Sequence, residues 1–301
     1  MVNNRLRPLT AHSLARPKHT NPKSPLSIPY ERELDVALEA VFQAGRRVME
    51  EYACFQAIAN APADISTQAD RLSQNIILDH LHAAFPADAL CAEESTDLLS
   101  EVSQTGPRVW IVDPIDGTRG FARKNDEFSI MVALVEESRM AVGVVFEPAK
   151  ERLTYATLGG GCWKQDQKAT QPASCRVTTV TELSKATLVQ SRSRNPDQPS
   201  SQVKAIQPAR IVETYSAGIK LAMVARGEAD IYLNTYSAFH DWDICAGHML
   251  VHEAGGKVTG LGGQELRYGL PGAWQRHGVL ASNGRLHDPA LEALASIRTV
   301  K

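Results

Sequence analysis

The chain has 301 residues, 43% of them hydrophobic and 22% charged, and a formal net charge of −2. That length sits where one core begins to divide into two, and no apolar run approaches the ~20 residues that span a bilayer. The near-neutral balance excludes the broad basic field of a binder of nucleic acid polymer, so any anionic ligand must be held by a local site.

Residues 1–30 carry Arg5, Arg7, Arg16, Lys18 and Lys23 but no acid. With several prolines and no apolar h-region the stretch is not a secretory signal. It reads as a disordered basic tail. An organelle transit peptide shares the acid-poor composition, although the prolines weaken an amphipathic helix. Residues 31–52 then place Leu34, Leu38, Val41 and Val48 on one helical face. Residues 68–84 repeat the pattern with Leu72, Ile76 and Leu81. Ala89–Ala92 reads as a short strand running into Glu93 and Glu94, residues 100–107 as a loop, and "RVWIVD" as a central strand. The runs 128–135, 140–146 and 152–157 predict an antiparallel meander, with a glycine turn at 159–161.

The sequence turns polar at 165–185, which divides an α+β half (31–175) from an α/β half (176–301). In the second half strands are expected at 187–190, 210–212 and 230–233. Helices are expected at 217–226 and 242–253, the last capped by Gly255-Gly256. The five cysteines, Cys54, Cys91, Cys162, Cys175 and Cys245, form no C-x-x-C pair. The odd count argues against a disulfide framework or structural zinc and for a reducing, cytoplasmic setting.

The chemistry concentrates in "WIVDPIDGTRGF". Asp113 and Asp116 end a strongly apolar strand; Pro114 fixes one φ and Gly117 permits an unusual one. Carboxylates aimed at one point repel unless a cation neutralises them. Hard ions such as Mg²⁺ take oxygen ligands and keep waters for a phosphate. Asp70 three residues after Thr67, and Asp243 in "HDWDICAG", also satisfy the rules for helix N-terminal acids. Glu93-Glu94 before Ser95 reads equally as a solvated helix start. No G-x-S-x-G, P-loop or H-E-x-x-H motif competes, and the nine histidines show no ligand spacing.

Taken together, "CAEES", "WIVDPIDGTRGF" and "WDICAGHMLVHEAGG" resemble the inositol monophosphatase-like superfamily of metal-dependent, lithium-sensitive phosphatases. The likeness runs from Glu31 to the end. "DGTRGFARKNDEF", "SRS" at 191–193 and "SAGIKLAMVARGEADIYL" look more like its 3'(2'),5'-bisphosphate nucleotidases than its inositol enzymes. The resemblance implies a layered αβαβα sandwich and two or three Mg²⁺ ions. Glu93, Asp113 and the Ile115 carbonyl would hold one, and Asp113, Asp116 and Asp243 the second. Glu93 would also assist a third ion. Asp70 and Thr118 resemble the water-activating pair, and Gly117 and Thr118 would offer backbone N–H groups to the phosphate. Ser216 and Lys220 match a nucleotide-contacting stretch, with Arg192 and Arg194 in the Ser-rich loop as further cations. The family's loop lysine is missing from "CFQAIANAPAD". The implied partner is a small phosphorylated substrate, 3'-phosphoadenosine 5'-phosphate first and an inositol or sugar monophosphate as the alternative. A non-catalytic regulator would be expected to have lost a ligand acid, and none is lost. A homodimer is left open.

Overall fold

In the computed structural model, residues 29–62, 64–166, 169–193 and 198–297 are described. The basic tail up to residue 28 and Arg194 lie outside them. Helix α1 (Glu31–Cys54) buries Leu34, Leu38, Val41, Phe42 and Val48 along one stripe. Helix α2 (Gln68–Ala84) opens on a capping box between Thr67 and Asp70 and buries Ile77, Leu78 and Leu81. These apolar stripes cover one face of a seven-stranded sheet. Gly45 allows the close approach: a Cβ there would sit 2.5 Å from the Phe146 ring.

The sheet comprises β1 (Ala89–Ala92), β2 (Arg108–Asp116), β3 (Ser129–Glu136), β4 (Arg139–Glu147), β5 (Arg152–Thr157), β6 (Gly161–Asp166) and β7 (Ala173–Ser174), in that spatial order. β1 and β2 are parallel, and every later neighbour is antiparallel. Strand β2 is therefore second from the edge rather than central, yet it is buried along almost its whole length, because α2 lies over one face. Short helices α3 (Asp97–Glu101) and α4 (Thr118–Ala122) flank β2.

Beyond Ser174 the chain crosses to a second sheet. Its strands are β8 (Thr187–Gln190), β9 (Arg210–Glu213), β10 (Ile231–Asn234), β12 (Lys257–Thr259) and β14 (Val279–Ser282), ordered β12-β14-β10-β8-β9. Helices α6 (Ala217–Ala225) and α7 (Asp241–Glu253) fill the space between the sheets. Helices α5 (Ser201–Ile206) and α8 (His287–Ser296) cover the outer face. Strands β11 (Phe239–His240) and β13 (Trp274–Gln275) form a separate two-stranded ribbon. The layers run αβαβα, as the resemblance implied. Gly255, at φ 90°, ends α7 in the left-handed conformation.

Candidate active site

The site grows from an irregularity in β2. Residues three apart on a regular strand point to opposite faces. Here Asp113 pairs with Met131 while Asp116 pairs with Ser129, so β2 carries one residue more than β3. Pro114 cannot donate to the ladder, which makes this the natural place for a bulge. The extra residue can bring both carboxylates to one side. The loop is pinned from behind: Ser73 Oγ donates to the Pro114 carbonyl at 2.8 Å, and Ile115 N–H donates to Asp113 Oδ1 at 3.1 Å. Gly117 follows at φ 87°, and a Cβ there would meet the Glu127 carbonyl at 2.8 Å and Ser216 N at 3.0 Å. Sterics and backbone angle both require glycine.

Asp70 serves two structures at once. Its Oδ2 accepts from Thr67 N and Thr67 Oγ1 at 2.8 and 2.6 Å, closing the capping box of α2. Its Oδ1 lies 3.1 Å from the Thr118 hydroxyl, which also reaches the Ile115 carbonyl at 2.9 Å. The capping reading of Asp70 holds, and its second oxygen is free to face Thr118 at the same time. Asp243 behaves alike: Oδ2 accepts from His240 N at 2.6 Å at the start of α7. Asp116 is received by α6, with Oδ1 accepting from Ala217 N at 3.1 Å and Oδ2 from Gly218 N at 2.6 Å. Ser216 and Ser129 donate to the same Oδ2. A helix N-terminus stabilises such a charge, and Asp116 keeps a lone pair on Oδ1.

The acids raise one another. Burial, then Glu93 and Asp116, push Asp113 well above the ordinary carboxylate range; its residue is 2% exposed. Asp243 is pushed up to about 7 by burial and, against the pull of the His240 hydrogen bond, by Asp116 and Asp241. Glu93 reaches about 8: the residue opens to solvent, but its carboxyl lies among protein atoms beside Asp243, Asp70, Glu94 and Asp116. Asp70 reaches about 6, mainly through burial. Among the described residues no ion pair reaches Asp70, Glu93, Asp113 or Asp116, and the one to Asp243 is a 4.0 Å contact with His240. Burial holds that imidazole below its usual value. The donor set is all hard oxygen and uncompensated, which fits Mg²⁺. Among the described residues no three acid, imidazole or thiol groups already enclose a point, so the fit lies in the chemistry of the donors and not in a closed cage.

A second region adjoins the acids. Arg119 on α4 and Arg123, which caps its C-terminus one turn later, stand over the Tyr215 ring at 5.3 and 6.0 Å; Arg192 stands over it at 5.7 Å. Together with Asn60, Ala61, Pro62 and Ser193 they line a cavity of about 460 Å³. Glu127 binds Arg192 bidentately and accepts from Tyr215 N at 3.2 Å. Among the described residues Glu127 pairs with Arg192 but with neither Arg119 nor Arg123, and Arg119 Nε is buried without a hydrogen-bond partner. Arg192 thus lines this cavity.

Ser216 and Lys220 correct the expectation of direct substrate contact. Ser216 is fully buried, caps α6 by accepting from Ile219 N at 2.9 Å, and donates to Asp116. Lys220 is 1% exposed, and its ammonium donates to the Thr214 carbonyl at 3.1 Å and to the Tyr215 carbonyl. Burial lowers it to about 8. The side chain faces into the α6 layer because the helix is apolar all round, and the β9–α6 loop supplies acceptors there. Arg119, Arg123, Tyr215 and Glu127 were not identified from sequence. The i, i+4 spacing of Arg119 and Arg123 right after the Asp-Gly-Thr turn was the available signal.

The inositol monophosphatase family model matches residues 30–299. A Thermotoga maritima fructose-1,6-bisphosphatase/inositol-1-monophosphatase is 31% identical over 236 residues, covering 78% of this chain and 84% of the relative. A Salmonella typhimurium 3'(2'),5'-bisphosphate nucleotidase CysQ is also 31% identical, over 205 residues, covering 67% of this chain and 78% of the relative. The structure of the Thermotoga maritima IMPase superposes with a TM-score of 0.74 at 27% identity, covering 89% of this chain and 98% of that one. The residues matched by the family model span both sheets. The chain belongs to the inositol monophosphatase family, whose members are metal-dependent phosphate monoester hydrolases.

Proposed function

We propose that the protein hydrolyses the 3'(2') phosphate of a 3'(2'),5'-bisphosphate nucleotide such as 3'-phosphoadenosine 5'-phosphate, using Mg²⁺. The observation that carries this choice is the arginine cavity beside α4. A monophosphate places its only phosphate at the acids and has no use for three guanidiniums next to them. A bisphosphate brings a second anion, and arginine's planar fork suits phosphate.

Glu93, Asp113, the Ile115 carbonyl, Asp116 and Asp243 would hold the ions, with Asp113 shared between two. Bound there, Mg²⁺ lowers the pKa of water and offsets charge on the leaving oxygen. The remaining work falls to the chain. Thr118 Oγ1 takes a proton from the attacking water as its own proton passes to Asp70 Oδ1, 3.1 Å away. Asp70, at about 6, is largely ionised at neutral pH and can accept it. Gly117 and Thr118 offer backbone N–H groups to the phosphoryl oxygens. Arg119, Arg123 and Arg192 orient the substrate through its second phosphate, while Ser216 and Lys220 act from behind by fixing Asp116 and the Thr214–Tyr215 backbone.

Phosphate release from 3'-phosphoadenosine 5'-phosphate, AMP and inositol 1-phosphate, measured side by side with Mg²⁺, tests the reading. The highest kcat/KM is expected for the bisphosphate. A higher value for inositol 1-phosphate would replace the proposal with an inositol monophosphatase.

A further inference from the structure

The ladder between β6 and β7 pairs Trp163 with Ser174 and Lys164 with Ala173. One residue further on, Cys162 stands opposite Cys175, whose N–H donates to the Cys162 carbonyl at 2.8 Å. Opposed residues of an antiparallel pair have Cα atoms about 4.5–5.5 Å apart, within the ~4.4–6.8 Å that a disulfide bridges. Directly opposed residues send their side chains to the same face of the ladder, so the two thiols are neighbours. Both residues are almost wholly buried, at 0% and 2% exposure. The second cysteine directly follows β7, a strand only two residues long and exposed. An edge of that kind opens locally at small cost, which gives a small oxidant a route to the pair.

We propose that Cys162 and Cys175 are a redox modification site, a dithiol that closes reversibly to a disulfide and fastens β7 to β6 where the chain crosses into the second sheet. The oxidant is a small disulfide such as oxidised glutathione. The Cys175 thiolate, its proton lost to solvent, attacks one glutathione sulfur and expels glutathione thiolate. The Cys162 thiolate then attacks Cys175 Sγ in the mixed disulfide and expels the second glutathione. Two protein thiols are oxidised, and one glutathione disulfide is reduced to two thiols. The order follows from the surroundings: the neighbouring Cys162 thiol, and with it Arg226, hold Cys175 below the ordinary thiol range. Burial, and then the neighbouring Cys175 thiol, push Cys162 up.

The proposal is independent of the substrate. Full-length protein is incubated with oxidised glutathione, quenched in acid, alkylated after unfolding and digested with trypsin. The peptide 153–164 should be joined to 169–176, with only Cys54, Cys91 and Cys245 alkylated, and dithiothreitol should restore five labelled thiols. Cys162→Ser should instead accumulate glutathione on Cys175, and the oxidised wild type should melt a few degrees higher than the reduced. Five alkylatable thiols after oxidation, a bridge between Cys91 and Cys245, or stable glutathione on Cys175 in the wild type would each overturn it.

Discussion

Two oppositely charged regions adjoin at α4. On one side Thr118 reaches Asp70 and the Ile115 carbonyl of β2; on the other Arg119 and Arg123 stand over Tyr215. Among the described residues Arg192 pairs with Glu127, but Arg119, Arg123, Asp70, Asp113 and Asp116 have no ion pair. The contrast is with Arg108, whose guanidinium meets Glu33 at 3.1 Å, Asp88 at 3.0 Å and Glu136 at 2.5 Å, and with buried Arg226 against Glu147 at 2.9 Å. Those charges complete the fold. Among the described residues Arg119 and Arg123 lack such partners, and under the proposed function a phosphorylated substrate with its cations would supply both signs.

Removing the cations should break the acidic side most severely. Exhaustive chelation should abolish phosphate release, and Li⁺ should compete with Mg²⁺. Asp113→Asn should lower kcat ~10³-fold or more, about 4 kcal/mol of transition-state stabilisation, while the metal-free variant melts above the metal-free wild type. Near-normal turnover in that variant would end the bridging role.

The proton path comes next. Thr118→Ala and Asp70→Asn should each lose ~10²–10⁴-fold in kcat. The double variant should be little worse than either, since the two groups act as one; multiplicative losses would separate them. Asp70→Asn should also loosen the start of α2, so melting temperatures are needed beside the rates.

On the basic side, Arg119→Ala should raise KM for 3'-phosphoadenosine 5'-phosphate roughly ten- to a hundred-fold, the worth of one charge-assisted contact, and leave inositol 1-phosphate hydrolysis nearly unchanged. Lys220→Ala sharpens the comparison. It strands two buried carbonyls, so stability should fall and both substrates should suffer alike. Equal losses for Arg119→Ala would mean that the arginine cavity does not select the second phosphate.

The smallest effect is on stability against pH without metal. Asp70, Asp243 and Glu93 sit at about 6, 7 and 8 in the folded chain, above the roughly 4 of an unfolded chain. Between those values the folded state holds protons that the unfolded state releases, so metal-free stability falls as pH rises through roughly 4 to 8. Mg²⁺ should flatten that slope. A melting temperature that climbs across this window in chelator would contradict the crowding of the acids.

The long helices, the meander and the glycine stop of α7 were legible because each is a local pattern of period, cap or turn. The strand ending in Asp113 and Asp116 was legible for the same reason, but its place second in the sheet was not, since strand order is set by partners far away in sequence. Helices α5 and α8 escaped notice because their apolar stripes are short and acquire meaning only against the second sheet. Lys220 shows the reverse failure: a cation read as a ligand for phosphate is a buried strut, because no local rule says which way a residue on an all-apolar helix will point.

The residue order by itself determined that hard oxygen donors gather at a Pro- and Gly-shaped turn, and hence the metal-dependent chemistry. Only the tertiary structure decided that a bulge gives Asp113 and Asp116 the freedom to share a side, that α6 receives Asp116, and that Arg119, Arg123 and Arg192 meet over Tyr215. Donor type is a property of a residue, whereas convergence and charge compensation belong to pairs brought together by burial across more than sixty positions of chain.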